Sequence, residues 1–134
     1  MYNTKGNRYL KLNMLIVDDE SEIREILTEV LSELELNFLQ AENGLEALDV
    51  VKKSKVDLII TDLAMPKMNG FEFLRGLKTA GYQIPCMVLT GHGDKTIAQQ
   101  VKAFGVVEFI DKPFEMEVLI QKVSSILKNI QTAS

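Results

Sequence analysis

The sequence predicts an α/β fold, a three-layer (βα)5 sandwich in which helices cover both faces of one parallel five-stranded sheet. Three observations carry that expectation. Short apolar runs alternate with longer helical patterns five times along the chain. The connections between them are short, which leaves the helices as the crossovers that parallel strands require. The run 56–61 is apolar at nearly every position, as a strand covered on both sides must be.

The first strand is expected over 12–17, Leu12-Asn13-Met14-Leu15-Ile16-Val17, ending in the acidic triplet Asp18-Asp19-Glu20. Apolar residues then fall at Ile23, Ile26, Leu27, Val30, Leu31 and Leu34, offsets that trace one face of a helix running through Leu34. Ser21 stands near its start as a cap or first-turn residue. Asn37-Phe38-Leu39-Gln40-Ala41 reads as a weak second strand, closed by Asn43-Gly44, a turn or helix-start signal. Leu45, Leu48 and Val51 give a short second helix, and its end, Lys52-Lys53-Ser54-Lys55, places cations where the helix dipole favours them.

The third strand, 56–61, delivers Asp62. Pro66 and Asn69-Gly70 then delay the third helix, which carries Phe71, Phe73, Leu74 and Leu77 and closes at Ala80-Gly81-Tyr82. Pro85-Cys86-Met87-Val88-Leu89 is the fourth strand, and Thr90-Gly91 follows it. Ile97, Ala98 and Val101 mark a fourth helix ended around Phe104-Gly105. The fifth strand is 106–110, and the last helix bears Val118, Leu119, Val123, Ile126, Leu127 and Ile130.

A chain of 134 residues fits one domain, here over 12–130, with a polar lead-in at 1–11 and a tail at 131–134. The net charge of −4 argues against non-specific nucleic-acid binding, which uses a basic face, so no direct contact with nucleic acid is expected. No run approaches the roughly 18 apolar residues of a spanning helix, and the N-terminal residues lack a signal peptide's apolar core. No membrane association is expected. Cys86 is the single cysteine; it reads as a buried strand residue and fits a reducing cytoplasm. Met65, Met68 and Met87 read as packing residues and Met116 as partly exposed.

Strand ends of a parallel sheet share one edge, where ligands bind. Asp18, Asp19, Asp62, Thr90 and Lys112 would therefore converge. Two like charges about 4 Å apart repel by roughly 4 kcal/mol at an effective dielectric near 20. Three carboxylates so placed favour protonation or a bound cation, and a hard divalent ion with oxygen ligands, Mg2+ above all, suits them. Lys112 adds a fixed positive charge, Thr90 a hydroxyl donor, and Gly91 leaves space for an incoming group. Cation, ammonium and hydroxyl around three oxygens is the arrangement phosphoryl transfer needs.

Four stretches, in this order, carry a family resemblance: Val17-Asp18-Asp19-Glu20, Thr61-Asp62-Leu63-Ala64-Met65-Pro66-Lys67-Met68-Asn69-Gly70, Leu89-Thr90-Gly91 and Phe109-Ile110-Asp111-Lys112-Pro113-Phe114. Over about residues 12–130 the chain resembles the receiver domain of two-component response regulators. The resemblance implies a flavodoxin-like sheet of order 2-1-3-4-5, the order for which a receiver is a standing example. It implies that Asp62 is the phosphoacceptor, attacking the phosphohistidine of a sensor histidine kinase or histidine phosphotransfer protein. Asp19 and Asp62 would ligate Mg2+ directly together with the backbone carbonyl of Ala64, and Asp18 largely through a water.

On the same resemblance, Lys112 would pair with Asp62 at rest and with the phosphoryl oxygens afterwards. Thr90 would swing inward and Phe109 would fill the vacated space, switching the helix 4–strand 5–helix 5 face toward a downstream effector protein. Ala64 and His92 would border the phosphoryl group and tune its lifetime, and the Lys112-Pro113 bond would be cis. Such a chain is a phosphoacceptor signalling domain rather than an enzyme.

Other readings compete with this one. An aspartate-nucleophile phosphatase would also use a strand-end Asp with Mg2+, but it characteristically places a second Asp where Ala64 stands. A flavin or nucleotide module needs a phosphate-cradling loop after strand one, and Asp18-Asp19-Glu20 would repel phosphate. Retention of all five site side chains argues against a degenerate receiver. Glu20 and Asp94 read as helix caps, Phe109 by itself as core, and His92 equally as a solvated loop residue. A stand-alone receiver is expected, because the last helix ends in 128–134 with no output domain. The input half of a longer DNA-binding regulator is the alternative, since Thr90-Gly91-His92-Gly93-Asp94 resembles the loop of regulators that control transcription.

Overall fold

The computed structural model describes residues 11–91 and 95–133. Five strands, β1 (Asn13–Val17), β2 (Asn37–Ala41), β3 (Leu58–Asp62), β4 (Cys86–Thr90) and β5 (Val106–Asp111), alternate with helices α1 (Ser21–Val30), α2 (Gly44–Lys53), α3 (Gly70–Thr79), α4 (Lys95–Val101) and α5 (Met116–Ala133). The strands pair in parallel in the order β2-β1-β3-β4-β5, the flavodoxin-like arrangement. Among the described residues no helix is long and apolar enough to cross a membrane.

Strand periodicity divides the core into two layers. Leu15, Val17, Ile59 and Val88 face Phe73 and Leu74 of α3. Met14, Ile16, Leu58, Ile60, Met87 and Leu89 face Leu27 of α1 and Leu119 and Val123 of α5. Because both faces are covered, β3 and β4 are buried at every position. Cys86 lies inside this core, its thiol pushed up to about 12 by burial. Met65 and Met87 are buried, while Met116 is exposed.

Several boundaries differ from the sequence expectation. The pattern from Ile23 to Leu34 is not one helix: α1 stops at Val30, and a 3-10 turn over Ser32–Leu34 follows. Leu31 and Leu34 still pack on the α1–α5 layer, so the periodicity reported the buried face but not the helix length. Glu35 ends the turn with φ 54, a left-handed conformation for which no Gly or Asn gave warning. Val56 and Asp57 precede β3 rather than opening it; Asp57 instead accepts the Asn13 amide through Oδ2 at 2.8 Å. Glu20 occupies the cap position of α1, but its side chain makes no capping bond, and Ser21 is the first helical residue. The last helix continues to Ala133.

The edge strand β5 contains an irregularity that matters for the site. Cys86 pairs with Val106, yet Met87 pairs with Glu108, so Val107 is an extra residue facing solvent. Beyond it the phase of β5 is inverted. Phe109 joins Val106 on the α3–α4 side, Ile110 packs on the α1–α5 side, and Asp111 rather than Ile110 stands opposite Thr90.

Candidate functional site

Asp62 is the last residue of β3 and is buried. Its Oδ1 accepts the Leu63 amide at 2.8 Å and lies 3.1 Å from the Lys112 ammonium. The loop behind it is pinned by two helix starts. Asn69 and Glu72 form a reciprocal capping box at α3, and Asn43 caps α2 by accepting the Glu46 amide. A Cβ on Gly70 would sit 2.6 Å from the carbonyl oxygen of Asp62, and one on Gly44 would sit 2.8 Å from that of Met68. Both glycines are required by close approach of backbone, not by a left-handed conformation. Within the loop Lys67 takes φ 65 and Met68 donates to the Pro66 carbonyl at 2.7 Å, a tight three-residue turn.

Asp18, just after β1, is fully buried. Its Oδ1 accepts the Glu20 amide at 2.9 Å, while Oδ2 has no hydrogen-bond partner among the described residues and stands 3.8 Å from the Lys112 ammonium. Arg24 of α1 holds the segment from behind, donating to the Asp18 carbonyl oxygen and to Oε1 of Gln40. Burial pushes the Asp18 carboxyl from 3.8 up to about 6; the Glu20 amide opposes this, the Asp62 charge adds to it, Lys112 opposes it and Asp19 adds to it. One ammonium therefore links the two buried carboxylates.

Among the described residues, Asp18, Asp19 and Glu20 form a carboxylate group in which one oxygen from each lies within 4.8 Å of the others. Asp19 and Glu20 are exposed, so the cluster opens to water. An orphaned buried oxygen beside all-oxygen hard donors fits a hard divalent cation. Sequence reading expected Asp62 beside Asp18 and Asp19 and took Glu20 as a cap; in this group Glu20 is the third carboxylate and Asp62 is not a member, and adjacency in the triplet was the signal for Glu20. Ala64, two residues past Asp62, is on the exposed rim of the loop.

Thr90 ends β4 nearly buried, and its hydroxyl donates to Oδ1 of Asp111 at 3.0 Å, with the Ile110 carbonyl at 3.4 Å. The Lys112 amide donates to the Thr90 carbonyl at 2.7 Å, and the Lys112-Pro113 bond is cis. Phe109 is half-buried against the α3–α4 layer, and its carbonyl accepts Lys122 of α5, which also bonds Glu108 at 2.8 Å. Thr90, Lys95, Gln99, Phe109, Asp111 and Lys112 all line one open cavity of about 700 Å³ between α4 and β5. Sequence reasoning missed Asp111 because only the shifted register brings it to Thr90. His92 and Asp94 lie outside the described residues.

Residues 14–124 match the profile of the response regulator receiver domain. The chain is 35% identical over 114 residues to Sporulation initiation phosphotransferase F of Bacillus subtilis, covering 85% of this chain and 92% of that protein. It is 34% identical over 118 residues to Transcriptional regulatory protein FixJ of Rhizobium meliloti, covering 88% of this chain and 58% of that longer protein. It spans 52% of Response regulator MprA of Mycobacterium at 30% identity, about half that relative's length. A response regulator receiver domain structure from Clostridium thermocellum superposes with a TM-score of 0.82 at 27% identity, covering 92% of this chain and 99% of that one. The chain belongs to the response regulator receiver domain family.

Proposed function

We propose that Asp62 accepts a phosphoryl group from the phosphohistidine of a sensor histidine kinase or histidine phosphotransfer protein, and that the α4–β5–α5 face passes the change to an effector protein. The observation that carries this reading is the shared ammonium: Lys112 reaches both Asp62 and Asp18 across the strand-end edge. Among the described residues the close contacts of the Asp62 carboxylate fall on Oδ1, which leaves Oδ2 to attack phosphorus. The new P–O bond forms as the P–N bond breaks, and the electron pair of that bond leaves with the imidazole. Lys112 then faces the phosphoryl oxygens, and the Thr90 hydroxyl is a further donor toward them.

Receivers in general bind Mg2+ at an acidic pocket, and Asp18, Asp19, Asp62 and the Ala64 carbonyl, with Glu20 beside the first two, are the groups that would hold it here. The ion supplies charge neutralisation for the transferred group and for the crowded carboxylates. Burial of Asp18 keeps water from one side of that crowd, and Arg24 fixes the backbone from which Asp18 and Asp19 project. A relay role draws support from the similarity to a protein named as a phosphotransferase; the length of the native gene product separates it from use within a transcriptional regulator.

The test is intact-mass measurement after incubation with acetyl phosphate and Mg2+. One phosphoryl group is expected on the wild type and none on Asp62→Asn. Phosphorylation persisting in that variant overturns the assignment.

A further inference from the structure

The hydroxyl of Thr90 is engaged on the side of the strand away from Asp62. In the sheet β4 lies between β3 and β5, and Thr90 bonds across to Asp111 on β5 at 3.0 Å. The Val107 irregularity makes this possible, because an unshifted register would set Ile110 opposite Thr90 and put no carboxylate there. The bond joins unlike environments: Thr90 is 9% exposed, whereas Asp111 faces solvent. A carboxylate acceptor makes it stronger than a neutral hydrogen bond, and exposure of its outer half makes it exchangeable with water. The next residue, Lys112, already contacts Asp62, so the same strand end presents a cation to the phosphoacceptor and an acceptor to the hydroxyl.

We propose that Asp111 is a positioning residue that latches the Thr90 hydroxyl onto β5 in the unphosphorylated chain, so that a phosphoryl group on Asp62 has to compete with a charged acceptor for that donor. This rests on the reading of Asp62 as the phosphoacceptor. The latch sets the resting bias of the switch. Freeing Thr90 makes its hydroxyl available to the phosphoryl group without loss of an existing bond. Phe109, two residues before Asp111 and lining the same cavity, gains the space that the departing threonine leaves.

Beryllofluoride, a stable phosphoryl mimic, provides the test when titrated calorimetrically with Mg2+ into the full chain. Asp111→Ala is expected to bind it about tenfold tighter than the wild type, the worth of one hydrogen bond to a charged acceptor no longer broken. Asp111→Asn keeps an acceptor without the charge and is expected to lie closer to the wild type than to Asp111→Ala. In a Thr90→Val background, where no hydroxyl exists to be latched, Asp111→Ala is expected to change nothing. Equal affinities for the wild type and Asp111→Ala overturn the latch. So does tightening that persists in Thr90→Val, because it would report removal of a repelling charge. Absence of beryllofluoride binding by the wild type overturns the phosphoacceptor reading itself, and the latch with it.

Discussion

Strands β3 and β5 deliver their functional residues to the same edge of the sheet under opposite packing regimes. All five residues of β3 are buried, and Asp62 at its tip is held by its neighbour's amide, by Lys112 and by a glycine pressed against its own carbonyl. In β5 only Ile110 is buried; an extra residue breaks the ladder, and Phe109 and Asp111 border an open cavity. The lesson is a division of labour. On the proposed function, the carboxylate that meets a phosphorus atom in one geometry is built into the packed centre of the sheet, where interiors deform little. Phe109 and Asp111, by contrast, sit on the edge strand, where few contacts have to be broken, and only their partner Thr90 belongs to a buried strand.

The largest expected contrast pairs two phenylalanines. Phe73 of α3 is fully buried, and Phe73→Ala is expected to cost about 4 kcal/mol. Phe109→Ala should cost under about half as much, because its ring already borders a cavity. Urea denaturation of the unphosphorylated chain measures both; equal losses would erase the distinction between the two strands.

The next effect depends on pH. The folded Asp18 carboxyl titrates at about 6 against 3.8 for an unperturbed one, so the folded chain takes up this proton first as pH falls. Its charge therefore costs stability that is absent below about 4 and fully felt above about 6, an amount near 3 kcal/mol by linkage. Without metal, Asp18→Asn should be the more stable protein at pH 7.5 and should converge with the wild type near pH 4. Mg2+ should remove its advantage at neutral pH by compensating the wild-type charge. A difference that stays constant across pH 4–7.5 would show that Asp18 carries no such burden.

A smaller effect is expected at Gly70, where a Cβ meets the Asp62 carbonyl at 2.6 Å and the Leu63 Cα at 2.9 Å. Gly70→Ala should destabilise the fold by about 2 kcal/mol and slow phosphorylation by moving the tip of β3. Unchanged stability together with unchanged phosphorylation kinetics would mean that this loop is less rigid than its contacts indicate.

What could be read from the sequence follows the same division. The strand ends carrying Asp18, Asp62 and Thr90 were legible because apolar runs mark central strands and the polar residue that ends each run is conspicuous, and Lys112 was legible from the Lys-Pro pair that follows the fifth run. The sheet order followed from the family resemblance. Three things were hidden. The register shift at Val107 arises from pairing between β4 and β5, so Asp111 could not be matched to Thr90 in advance. Gly44 and Gly70 looked like turn glycines, whereas the cause is contact with residues distant in sequence or folded back by the loop. Glu20 looked like a cap, and only the path of the chain after β1 turns its carboxylate toward those of Asp18 and Asp19.

Locating the phosphoryl group on the chain is the most direct measurement. Borohydride reduces an aspartyl phosphate to homoserine, and tandem mass spectrometry of peptides from acetyl phosphate-treated protein identifies the position. The expected result is homoserine at position 62 alone. Homoserine at 18 or 19 instead, or none at all in protein whose mass has risen by one phosphoryl group, would contradict the assignment of Asp62.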